Sequence, residues 1–241
     1  MVISSEIIMQ VFMNIQFLAH SGFLLDDGVR YYVFDYYQDP KGLVEVAFQT
    51  GRDIWFFVSH LHGDHYNPDI KRFDSDHTRY IVHEDVPLDP GQVQAPVTKM
   101  AVYDSVALDG NVFIKMYGST DLGGSFLVKA KDSFFHAGDL NWWHWWGDTP
   151  ENIADAKRMA WKELGRLKGL TVDYAMFPVD NRLEYAQEWG ILEFLKYVRV
   201  TKRLIPMHLF GPAWEPSPYY QALYGQVPLW NVSVEGDSWS D

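Results

Sequence analysis

The sequence predicts an α/β fold in which two packed β-sheets are covered by helices. Three observations carry this expectation. Short apolar runs rich in aromatic and β-branched residues recur through the first 140 residues, each bounded by turn residues. Two long helical segments fall between and after the last strands. Strands in two groups with helices between and after them fit a layered α/β architecture.

Taken in order, the first strands are expected at residues 15–18, 23–25, 31–34 and 54–58, with Gly22 and Asp27-Gly28 marking the early turns. Further strands are expected at 79–82, 97–102, 112–117, 125–129 and 133–136. Thr149-Pro150-Glu151 opens a helix, with Thr as N-cap, Pro in the first turn and an acid beside it, and Gly169 closes it after residue 168. A strand at 174–177, a second long helix at 183–198 and a strand at 203–206 complete the pattern. The tail 211–218 is rich in proline and is expected to run irregularly over the surface. No repeat or linker interrupts the chain, so residues 1–241 read as a single domain.

Composition narrows the function classes. The chain of 241 residues has a formal charge of −12, which argues against nucleic acid or an anionic membrane as a partner, since both require a basic face. It contains no cysteine, which excludes disulfides, thiolate ligands and a cysteine nucleophile. No apolar run approaches the roughly 18 residues of a membrane span. Residues 1–12 are apolar but include Glu6 and lack Lys or Arg, unlike the basic start of a signal peptide. A cytoplasmic protein acting on a small molecule is expected, with Met1 or Met13 as its start.

The chemistry is concentrated in Ser59-His60-Leu61-His62-Gly63-Asp64-His65, directly after the buried-strand pattern Ile54-Trp55-Phe56-Phe57-Val58. Side chains two apart on extended chain point the same way, so His60 and His62 leave the strand end together. Gly63 permits a turn that brings Asp64 and His65 towards a neighbouring point. Three imidazoles and a carboxylate so close together suit a borderline divalent metal, Zn²⁺ above all.

The pattern H-x-H-x-D-H after a hydrophobic strand resembles the metallo-β-lactamase superfamily. The resemblance extends to His20-Ser21-Gly22-Phe23-Leu24 in an opening hairpin, to Phe135-His136-Ala137-Gly138-Asp139, and to Ile205-Pro206-Met207-His208, over roughly residues 13–214. It implies a four-layer αββα sandwich of two mixed β-sheets flanked by helices, and two adjacent metal ions. By this resemblance His60 and His62 hold the first metal, Asp64, His65 and His208 the second, and Asp139 bridges them. The family's third histidine for the first metal is replaced, in ungapped alignment, by Asp121. An oxygen donor there would let Mn²⁺ or Fe²⁺ compete with Zn²⁺. His136 is the rival for that slot, but it lies three residues before Asp139 on one strand, and alternation sends the two to opposite faces. It is expected instead behind the ligands or against the substrate. Asp35, at the end of a strand, is either an acceptor orienting a metal-binding histidine or a plain turn residue.

The implied activity is hydrolysis of a small ester, lactone or phosphodiester by a hydroxide activated between two metals, with Asp64, Asp139 and His136 as acid–base candidates. An Asp at the third-histidine slot with H-x-G-D is similar to the ascorbate-6-phosphate lactonase-like subgroup. His20, Trp142 and Trp143 are candidates for substrate contact. The cluster Trp142-Trp143-His144-Trp145-Trp146 suits either an aromatic wall or packing under the next helix, or a contact between copies in a homo-oligomer. The competing functions are a non-hydrolytic di-iron redox or oxygen-handling module and a catalytically silent metal-binding protein. Di-iron members of the superfamily tend to carry glutamate where this chain has His62.

Overall fold

The computed structural model describes residues 12–109 and 111–241. The expectations about residues 1–11, including the choice of start, lie outside the described residues.

Two mixed β-sheets form the centre of the molecule. The first contains β1 (Asn14–Ala19), β2 (Gly22–Asp26), β3 (Tyr31–Phe34), β4 (Ile54–Val58), β5 (Thr78–His83), β6 (Val97–Met100) and β13 (Ser238–Ser240), in the order β13-β1-β2-β3-β4-β5-β6. β1, β2 and β3 pair antiparallel, and β3 to β6 run parallel. The second contains β7 (Ser105–Leu108), β8 (Val112–Gly118), β9 (Gly124–Lys129), β10 (Ser133–His136), β11 (Leu170–Pro178) and β12 (Val198–Met207), in the order β12-β11-β10-β9-β8-β7. Here β7 to β10 are antiparallel, and β10, β11 and β12 are parallel.

The pleat of β4 shows how the layers are built. Trp55 and Phe57 point into the core between the sheets, while Ile54, Phe56 and Val58 join a second apolar cluster on the outer face. That outer cluster takes Val44 and Ala47 from the short helix α1 (Leu43–Phe48) and Ile70 and Phe73 from the 3-10 turn Pro68–Phe73. A strand buried on both faces needs apolar residues at every position, which is why its sequence shows no alternation. On the other side α2 (Pro150–Gly165) and α3 (Trp189–Tyr197) cover the second sheet, with Ala160, Leu164, Ile191 and Phe194 in the central core. No helix among the described residues is long and apolar enough to cross a membrane.

Several boundaries differ from the sequence expectation. The long helix expected at 183–198 is a 3-10 segment, Asn181–Ala186, followed by α3, because Glu184 takes a left-handed conformation at φ 52° and breaks the run. Val198 then starts β12 directly, so that strand is longer than its apolar end suggested. The tail runs irregularly from residue 211 to 217, as expected, and becomes regular only beyond that. It forms α4 (Pro218–Tyr224), N-capped by Ser217, and β13, which pairs with β1 through Asn14–Ser240. β7 carries exposed positions and gives little sequence signal.

Candidate metal centre

The parallel strands direct their carboxyl ends to one place. Asp35 follows β3, His60 follows β4, Asp139 follows β10, Asp180 follows β11 and His208 follows β12. His20 enters from the β1–β2 turn, whose carbonyl at His20 accepts the His208 N–H at 3.1 Å. His20, Asp35 and His208 all have positive φ, at 56°, 42° and 59°. Such backbone costs on the order of 1–3 kcal/mol per non-glycine residue and persists where surrounding structure demands it.

Two groups of donors result. His60, His62 and Asp139 form one, and His20, Asp64, His65 and His208 form the other, with donor atoms inside each group lying within 4.8 Å of one another. Asp139 stands between them: Oδ2 is 3.4 Å from Nε2 of His60, while Oδ1 is 3.0 Å from Nε2 of His65 and 3.4 Å from Nε2 of His208. Nδ1 of His62 faces Nε2 of His60 at 3.0 Å, and Nε2 of His20 lies 3.4 Å from Asp64 Oδ2.

Behind the donors, carboxylates fix the rings. His65 donates from Nδ1 to Asp35 at 2.7 Å, and His208 donates from Nδ1 to Asp180 at 3.0 Å. Asp35 also accepts the backbone N–H and the hydroxyl of Ser59, both at 2.7 Å. That hydroxyl in turn sits 3.0 Å from Nδ1 of His60. One buried carboxylate therefore orients a histidine of each group, one directly and one through a serine. These partners set the tautomers, leaving Nε2 of His60, His65 and His208 facing inwards.

The electrostatics suit cation binding. Burial and the neighbouring His65 push His60 down to about 4, so its ring is neutral at pH 7. Burial opposes charge on His65, but the carboxylates of Asp35 and Asp139 outweigh it and lift the ring to about 10, so a cation would take the place of the proton on its inward Nε2. Asp64 lies well below the usual carboxylate range, chiefly through its bond to His20. Asp139 does so too, because His65, His208 and His60 outweigh its burial. Nε2 of His65 and Oδ1 of Asp139 face each other without hydrogen-bond alignment, as do Nε2 of His20 and Oδ2 of Asp64. Unsatisfied buried groups of this kind cost about 1–3 kcal/mol each, and a divalent cation would satisfy them together. The donor set is all nitrogen and oxygen, which fits Zn²⁺, Mn²⁺ or Fe²⁺.

A cavity of about 380 Å³ opens over both groups and is lined by His62, Asp64, Thr120, Asp121, Asp139, Trp143, Trp145, Arg182 and His208. A larger one, about 560 Å³, lies at the opposite ends of β11 and β12 and has no His, Asp or Glu in its lining.

The expected residues do not all arrive where the spacing put them. His60, His62, Asp64, His65, Asp139 and His208 gather as described, and His20 joins the second group rather than standing apart as a substrate contact. Asp121 lines the cavity but is exposed and belongs to neither donor group. Its loop is held against the motif: Gly124 N–H donates to the Ser59 carbonyl at 3.2 Å, and a Cβ on Gly123 would lie 2.1 Å from that oxygen. His136 does not reach the cavity. It is fully buried, with Nε2 donating to the Ser21 carbonyl at 2.8 Å and Nδ1 accepting the Gly138 N–H at 3.2 Å. Both ring nitrogens are thereby used by backbone, which removes it as an acid–base or substrate residue. It stacks on Phe34 and lies 3.7 Å from Asp35, behind the donors. Trp143 lines the cavity, donating from Nε1 to the Asp139 carbonyl at 2.9 Å, with Trp145 stacked on it. Trp142 turns away and packs on Trp189 and Trp161.

Ser59, Asp180 and Arg182 are absent from the residues expected on spacing. A signal for Asp180 does exist, since an apolar strand run ends just before it, as before Asp35 and Asp139.

Two mixed sheets flanked by helices, with His and Asp donors at the strand ends, constitute the metallo-β-lactamase fold. A metallo-β-lactamase fold protein, YhfI from Bacillus subtilis, superposes with a TM-score of 0.57 at 12% identity, covering 95% of this chain and 99% of that one. Igni18, a metallo hydrolase from the hyperthermophilic archaeon Ignicoccus hospitalis, gives a TM-score of 0.64 at 15% identity, with 95% and 98% covered. An isothiocyanate hydrolase from Delia radicum gut bacteria gives 0.51 at 12% identity, with 95% and 100% covered. No protein-family model and no curated protein matches the sequence.

Proposed function

We propose that this protein is a metal-dependent hydrolase acting on a small ester, lactone or phosphodiester in the cavity above the two donor groups. The observation that carries this reading is Asp139, a buried carboxylate with one oxygen turned to each group. His60 and His62 would hold one ion, Asp64, His65, His208 and His20 the other, and Asp139 both. A pair of divalent ions there would supply a hydroxide at neutral pH and an electrophilic pole for the substrate oxygen.

The remaining work falls to the chain itself. Asp64 is half-buried, lines the cavity and stays ionised beside His20, so it can accept a hydrogen bond from the attacking water and orient it. Trp143 and Trp145 form an apolar wall that supports the substrate and sheds water from one side. Thr120 donates its hydroxyl to the carbonyls of Asp139 and Asn141 at 3.1 and 2.7 Å, which keeps the strand-end turn in place. Histidine at position 62, rather than glutamate, favours hydrolysis over a di-iron redox role, and one protein of similar fold is an isothiocyanate hydrolase.

The test is metal content by plasma mass spectrometry together with turnover on a panel of aryl esters, lactones and bis-aryl phosphodiesters. Wild-type protein should carry metal and turn over at least one class, and His62→Ala should lose both while keeping its circular dichroism. Turnover that survives complete chelation would refute the reading.

A further inference from the structure

Arg182 is the single lysine or arginine among the residues lining the metal-site cavity, and its guanidinium is held rigidly. Asp180, itself fully buried, accepts from Nε at 3.0 and 3.1 Å and from Nη2 at 2.6 Å. The plane lies 3.6 Å over the Phe210 ring and 5.3 Å from that of Trp145. Nη1 makes no hydrogen bond among the described residues, and the side chain is 46% exposed. A clamped guanidinium with a free edge on a cavity is the arrangement that recognises an oxyanion, because the fork is already oriented and little further entropy is lost on binding.

Position sets what that oxyanion belongs to. The same oxygen, Asp180 Oδ2, accepts from Arg182 and from Nδ1 of His208, whose Nε2 faces Asp139. The guanidinium is thus only one carboxylate away from His208 of the second donor group. An anion bound to it must sit a few bonds from the reacting centre of the same molecule. Between the two, Trp143 and Trp145 lie stacked, with ring centres 5.8 Å apart and planes 6° from parallel. That wall suits a flat apolar group.

We propose that the substrate is a compact molecule with a flat body and an anionic arm, a carboxylate or phosphate, which Arg182 holds while the hydrolysable group faces the metal centre. This rests on the hydrolase reading and names the substrate class for it. Asp64 and Asp121 also line the cavity and repel negative charge placed elsewhere, so Arg182 selects where the anion sits as well as whether it is present.

The experiment uses metal-loaded protein and phenylphosphonate, whose head group binds the ions, compared with its 2-, 3- and 4-carboxyphenyl relatives and with benzene-1,3-diphosphonate. Binding is read by calorimetry and by tryptophan fluorescence in wild type, Arg182→Gln and Arg182→Lys. At least one carboxylated isomer should bind wild type about 10- to 100-fold more tightly than the parent, and that gain should vanish in Arg182→Gln. Arg182→Lys should recover part of it. The diphosphonate separates the two anions: a larger gain than the carboxylate's assigns phosphate, a smaller one carboxylate. An equal gain in wild type and Arg182→Gln, or none for any isomer, overturns the site. So does a matching fall in metal content in Arg182→Gln, which would reduce Arg182 to a prop for Asp180 and His208. Metal content measured on the same wild-type samples keeps the two ideas apart. Bound metal without any anion gain sinks Arg182 alone, whereas protein that takes up no metal sinks the hydrolase reading and the substrate class with it.

Discussion

Asp35 binds no cavity group, yet it controls both donor groups, through His65 directly and through Ser59 to His60. Replacing it with Asn keeps the size but removes the charge that fixes the inward-facing nitrogens. Asp35→Asn is expected to lower metal affinity by about 10- to 100-fold, as loss of a ligand's outer partner typically does, measured by competition with a chromogenic chelator. Asp139 and Asp121 make the complementary comparison. Asp139 faces both groups, and two cations held side by side repel strongly unless a carboxylate screens them. Asp139→Ala should therefore lose both ions, whereas Asp121→Asn, altered at an exposed residue outside either group, should retain them. Metal stoichiometry per chain decides this, and a variant of Asp121 that loses an ion would place its carboxylate among the ligands after all.

Among the elements, the loop before β9 and the ends of β10 to β12 determine whether the site is assembled. Gly123 has φ 68°, and a Cβ there would lie 2.1 Å from the Ser59 carbonyl and 2.4 Å from Cβ of His60. Gly123→Ala should cost roughly 1–3 kcal/mol through the strained backbone and this overlap. Because the atoms it displaces belong to the motif, metal affinity should fall together with the urea midpoint. Further along the sheet, Asp173 accepts from Ser133 backbone and hydroxyl at 2.9 and 2.7 Å and from the Thr201 hydroxyl at 2.8 Å, tying β10, β11 and β12 together. Burial opposes its charge, but the hydrogen bonds of Ser133 and Thr201 win, so its carboxyl is held below the usual range. A lowered folded-state value means that the contribution is complete above the unfolded value of about 3.9 and disappears as pH falls through the folded one. The stability gap between wild type and Asp173→Asn should thus be constant from neutral pH to about 5 and close below about 4, in urea titrations across pH. A gap that widens on acidification would contradict the assignment.

For the whole molecule, metal binding and folding are expected to be separable. The core between the sheets and the outer cluster under α1 are built from apolar strand residues that do not touch the donors, such as Trp55, Phe56, Phe126 and Leu204. Chelated protein should therefore keep its circular dichroism spectrum but melt at a lower temperature, since an ion that binds only the folded state stabilises it by about 4 kcal/mol at a thousandfold excess over its dissociation constant. Loss of the β-sheet signal on chelation would show instead that the ions hold the sheets together.

Much of this architecture was readable in advance because parallel strands buried on both faces must be apolar throughout, and β3 and β4 stand out for that reason. The motif from His60 to His65 was equally legible, since its donors are packed within one turn of chain and their types permit little other chemistry. The sequence by itself therefore determined the layered α/β fold, the His- and Asp-rich strand ends and the acidic, cysteine-free character that shapes the donor set. It did not determine which distant residues meet. His20 joins the second group only because a left-handed turn faces the end of β12. His136 leaves the site because backbone groups at Ser21 and Gly138 take both its nitrogens, and Asp180 and Arg182 enter it because β11 runs beside β12 in parallel register. Those outcomes depend on contacts between residues far apart in the chain, and strand pairing, not local propensity or spacing, decides them.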